Sequence, residues 1–165
     1  MIFFAGALFT AAVGLLERYL CHRFGTNRKF AAILPLNESI WEQLKTIFWP
    51  MLVFCVFEYF NYGMYFDNFT AAKAASVFSA MVWSVALSYI YDAIWANRSA
   101  AANTCIFILA CTVGWTVNFI LVKNYCLCSG FDKISGMASI LIFMVCFVLF
   151  SAAPPQKSIF NEKKT

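Results

Sequence analysis

Charge is scarce in this chain: Asp, Glu, Lys and Arg make up 12% of its 165 residues, where soluble domains usually carry roughly a quarter. Histidine is scarcer still, with His22 alone. The first shortage excludes an ordinary water-soluble fold. Hydrophobic residues make up 62% of the chain and 19 of them are Phe, more than one soluble core of this size can hide without large apolar patches outside. The second shortage leaves histidine chemistry little to build on. No nucleophile–base pair and no metal-ligand pattern is present, so neither a metal site nor a cofactor is expected. Ten-residue alternating segments are missing, which excludes a membrane β-barrel. "GTNRK" lacks the spacing of a phosphate loop. Of seven cysteines only Cys126 and Cys128 are close, and a lone C-x-C lacks the paired ligand sets of a zinc site. The others, Cys21, Cys55, Cys105, Cys111 and Cys146, read as small apolar packing residues. A formal charge of +4 from so few ions does not describe a nucleic-acid surface, and no nucleic-acid partner is expected.

What is present is long apolar runs. Five are long enough to cross a bilayer, which takes about 17–25 helical residues: Ile2–Leu20, Phe48–Gly63, Thr70–Ala96, Ala101–Val122 and Ile134–Ala152. Backbone polar groups cannot go unpaired in lipid, so these runs predict helices. The expected fold is all-α: a polytopic membrane helical bundle of about five spans, with a capped interfacial helix leading into the second. One bundle domain covers residues 1–153, and a short tail, 154–165, leaves it at Pro154 and Pro155, where a helix cannot continue. The opening "MIFFAGALFTAAVGLL" has no basic start and reads as a retained span rather than a cleavable signal peptide. Lysine and arginine then set orientation. Arg18, Arg23, Arg28, Lys29, Lys45, Arg98, Lys157, Lys163 and Lys164 fall on one side, and Lys73, Lys123 and Lys133 on the other. That bias places the amino terminus outside a cell membrane and the carboxyl terminus in the cytoplasm.

Two small-residue stripes stand out. Ala72, Ser76, Ala80, Ser84 and Ser88 recur every fourth residue in the third run, and Gly6, Thr10 and Gly14 do so in the first. Such spacing lets backbones approach closely. It predicts packing within the bundle, with the third span central; a seam for a homo-oligomer or a larger membrane partner is the second reading.

The polar residues concentrate in "LNESIWEQLK", Leu36 to Lys45. Ser39-Ile40-Trp41-Glu42 fits the capping box, in which Ser39 and Glu42 satisfy the first helical N–H groups. Trp41 suits headgroup level, and Trp49-Pro50 is expected to bend the helix into the second span. Glu38, Glu42 and Lys45 share a face close enough for ion pairing. Capping does not account for Glu17, Glu58 and Asp92, which lie inside apolar runs, where a charge costs at least ~2.5 kcal/mol at the bilayer centre. Glu17, Asn37, Glu38, Trp41, Glu42, Lys45 and Asp92 therefore form the candidate polar site, all toward the cytoplasmic side. Glu58 is a secondary candidate, with Lys73 as its expected partner and Asn118 within possible reach.

The stretch "NESIWEQLKTIFWPMLVFCVFEYF" resembles the signature of an uncharacterised family of small bacterial polytopic membrane proteins: Asn-Glu-Ser-x-Trp-Glu-His-x-Lys before an aromatic-proline span. "SYIYD" near Asp92 and the Pro154-Pro155 exit resemble it too. Gln43 stands where that pattern has histidine, the motif's one neutral-pH proton carrier and metal ligand. The resemblance implies a bacterial inner-membrane protein and carries no activity or functional residue with it. Three classes of function follow from the residues. The leading one is binding or transport of a small solute, proton or lipid headgroup. The others are a membrane enzyme acting on a lipid or isoprenoid group through Glu42 or Asp92, and an accessory subunit of a larger complex.

Overall fold

The computed structural model describes residues 2–24, 34–35, 39–95, 99–123 and 130–152. They form α1 (Ile2–Phe24), α2 (Ile40–Asn61), a 3-10 turn (Gly63–Tyr65), α3 (Phe69–Ile94), α4 (Ala100–Lys123) and α5 (Gly130–Ala152), with no strand among the described residues. All five helices are long and apolar enough to cross a membrane, which suggests a multi-pass membrane protein. Cross-helix contacts fix their directions. Thr10 meets Trp115 and Arg18 meets Asn103, so α1 and α4 are antiparallel. Ser76 bonds Gly114 and Asn68 bonds Leu121, so α3 and α4 are antiparallel as well. Thr70 bonds Lys133 and Phe78 stacks on Phe143, which makes α3 and α5 parallel. The carboxyl ends of α1, α3 and α5 thus share one end of the bundle with the amino ends of α2 and α4. That end is called the Arg18 end here, and the opposite one the Lys73 end.

The second helix starts eight residues before the expected span and runs unbroken through Pro50. The capped segment and the apolar run are one helix of 22 residues, about 33 Å long. Its first turns are not an interfacial surface: Ile40, Glu42, Gln43, Leu44, Lys45 and Thr46 are all buried. Pro50 has no N–H to offer the Thr46 carbonyl. Gly14 of α1 packs against that same oxygen, and a Cβ built on Gly14 would lie 2.8 Å from it and 2.4 Å from Phe107. Glycine is what lets α1 sit there.

The core joins α2, α3 and α4 through Phe48, Met51, Phe54, Val77, Ala80, Phe107, Ala110 and Trp115. Both small-residue stripes lie inside this packing. Ala72, Ser76, Ala80, Ser84 and Ser88 are all buried, and Gly114 faces them so closely that an added Cβ would stand 2.7 Å from the Ala80 methyl. A Cβ on Gly6 would strike the Trp115 ring, whose Nε1 donates to Thr10 at 3.2 Å. The third helix does touch α2, α4 and α5, but it is not the most buried one. Two thirds of α2 is inside (67%) against 33% of α3, because Phe78, Val82, Trp83 and Ile90 of α3 face outward.

Candidate functional site

At the Arg18 end a partly enclosed cavity of about 170 Å³ lies between α1, α2 and α4. Local sequence positions its walls. From α2 come Ser39, Glu42, Gln43 and Thr46, one face of a helix whose start is fixed by its cap: Ser39 Oγ accepts the Glu42 N–H at 3.3 Å. Lys45 points into the protein with no exposed surface. Its Nζ donates to both carboxylate oxygens of Glu42, each at 2.8 Å, so a desolvated ammonium and its counter-charge sit on one helix three residues apart. Thr46 Oγ1 donates to the Gln43 carbonyl.

The first helix contributes Arg18 and Cys21, and the fourth contributes Asn103 and Thr104. Arg18 Nη1 donates to the Asn103 carbonyl at 3.3 Å, and its guanidinium lies 4.7 Å above the Phe107 ring. Two side chains of the wall have unmet bonding capacity. Gln43, 6% exposed, and Asn103, 8% exposed, each bury an amide atom, Nε2 and Oδ1 respectively, that has no hydrogen-bond partner. Buried polar atoms are paired in the great majority of cases, and two orphans on one cavity wall call for an occupant. Glu17, one residue before Arg18, is a third: its Oε2 is buried and unpartnered.

Among the residues expected at this site, the structure brings Glu42 to the cavity wall and Lys45 to Glu42. Trp41 turns the other way. It packs on Phe147 and Phe150 and lines an apolar groove of about 520 Å³ with Leu44, Met81 and Phe143. Asp92 is partly buried near the end of α3 and does not line the cavity. Asn37 and Glu38 lie outside the described residues. The residues that sequence reading passed over are Thr46, Asn103 and Thr104, together with Gln43, which it noted only for departing from a pattern. Asn103 carried a signal. It is a lone amide at the start of an apolar run, on the buried face that continues through Phe107, Ala110, Gly114 and Asn118.

The Lys73 end holds a separate polar cluster. Lys73 of α3 pairs with Glu58 of α2, and both are buried. Its ammonium lies 4.2 Å above the Trp115 ring, a favourable place for a desolvated cation. The Tyr62 hydroxyl donates to the other Glu58 oxygen. Burial first, and then that carboxylate, hold the Tyr62 phenol above the usual tyrosine range. Asn118 is fully buried, and the α3–α4 register sets it level with this pair, yet both its amide atoms lack a partner. Among the described residues no group of three or more His, Cys, Asp or Glu is placed to hold a metal ion.

Residues 2–165 match the profile of a family described as "Family of unknown function (DUF6512)". The chain belongs to that family. No curated protein and no solved structure gives a significant match.

Proposed function

We propose that this is a multi-pass membrane protein that binds a small polar solute in the cavity at its Arg18 end, which faces the cytoplasm. The observation that carries the reading is the pair of unpartnered amides, Gln43 and Asn103, on one cavity wall. A structural polar group would be expected to find its partner within the bundle, as Thr10 and Ser76 do. The cytoplasmic placement rests on the excess of Lys and Arg toward that end. Binding is favoured over catalysis because Glu42, the nearest carboxylate, is engaged by Lys45 through both oxygens and has no nucleophile beside it to activate.

Native mass spectrometry of the full chain, released from lipid nanodiscs, tests this. The expected result is a bound small-molecule mass that is lost in Thr104→Phe, whose ring enters the cavity from its exposed rim while melting stays unchanged. A mass retained by both proteins, or found on neither, overturns the reading.

A further inference from the structure

Resting on that binding reading, we infer that the cavity takes a small uncharged solute whose binding edge sets a hydrogen-bond acceptor beside a donor, as a carboxamide or a urea does. The two open positions have that complement. Gln43 Nε2 can only donate and Asn103 Oδ1 can only accept, and both lack partners. The terminal torsion of an amide side chain is broad, so either group turns to a ligand with little strain.

The charges of the wall favour a neutral occupant. Glu42 is engaged through both oxygens by Lys45. Arg18 is held against the Phe107 ring and on the Asn103 carbonyl. A buried ion needs compensating partners to offset its desolvation, and an entering ion of either sign would have to draw one of these groups from its present contacts. A neutral amide asks for neither. Size agrees: a cavity of roughly 150 Å³ holds benzene, so about 170 Å³ suits a solute of about four to six heavy atoms.

Saturation-transfer NMR on the full chain in detergent decides it, with acetamide, acetate and acetone as probes. These three have nearly one shape and differ in the property at issue. Acetamide offers acceptor and donor, acetone an acceptor alone, acetate a charge. Acetamide should bind at least roughly tenfold more tightly than either. Gln43→Leu and Asn103→Leu should each weaken it by a similar factor. Both variants remove an unpartnered buried atom, so both should melt no lower than the native chain, which separates lost binding from lost folding. Acetate binding best, with sensitivity to Gln43→Leu, would make this an anion site and overturn the inference while the binding reading stands. Acetamide binding indifferent to both variants overturns it too. If no probe binds and the native chain still carries its retained mass, the solute class is wrong; if that mass is also missing, both readings fall.

Discussion

Lys73 is a lysine with almost no access to solvent, and its neighbours explain how it is tolerated: Glu58 supplies the counter-charge and Trp115 the ring face. Removing one partner of such a pair costs far more than removing both. Glu58→Gln should therefore lower stability by about 3–5 kcal/mol, and adding Lys73→Met should recover most of the loss. Thermal melting in detergent reads this directly; equal losses in the single and double variants would mean that the pair contributes nothing. At the other end Ser39→Ala should cost about 0.5–2 kcal/mol, the usual value of a helix cap. Both features were legible in the sequence, for different reasons. The cap is local, and S-x-x-E carries it within four residues. The ion pair was legible by elimination, since Glu58 and Lys73 are lone charges toward the same ends of neighbouring apolar runs. Gln43 and Asn103 were not legible as partners, because sixty residues separate them. What brings them together is the seating of α1 between α2 and α4, and no spacing rule reports that.

The helices themselves were readable to within a few residues at most ends, because the apolar runs that predict them are the runs that bury or face lipid. The start of α2 was not. An interfacial helix and a buried one have similar patterns there, and only the packing of α1 and α4 over Glu42, Gln43 and Thr46 distinguishes them. Contact between helices depends on missing side chains as much as on present ones. Gly114 has the Ala80 methyl and the Ser76 carbonyl so near that a Cβ would come within 2.7 and 2.9 Å of them. Gly114→Val should destabilise the fold by about 1–3 kcal/mol through overpacking, while Val82→Leu, on the outward face of the partner helix, should leave melting unchanged. An unchanged melt for Gly114→Val would show that α3 and α4 are farther apart than described here.

The alternation of helix directions and the distribution of basic residues make one claim about the whole chain in a cell. Reporter fusions after Asn27 and Arg98 should read cytoplasmic and one after Asn68 external; a cytoplasmic reading at Asn68 would refute the orientation. The two buried lysines also bear on the order in which the chain is made. Lys45 finds Glu42 on its own helix, so α2 carries a neutralised pair as soon as it coils. Lys73 has no such provision within α3; its counter-ion arrived one helix earlier, on α2. A lone lysine near the middle of a span raises the cost of insertion by about 2.5–3.5 kcal/mol. The nascent chain thus has reason to hold α2 at the translocon until α3 emerges, and to release the two into lipid as a hairpin.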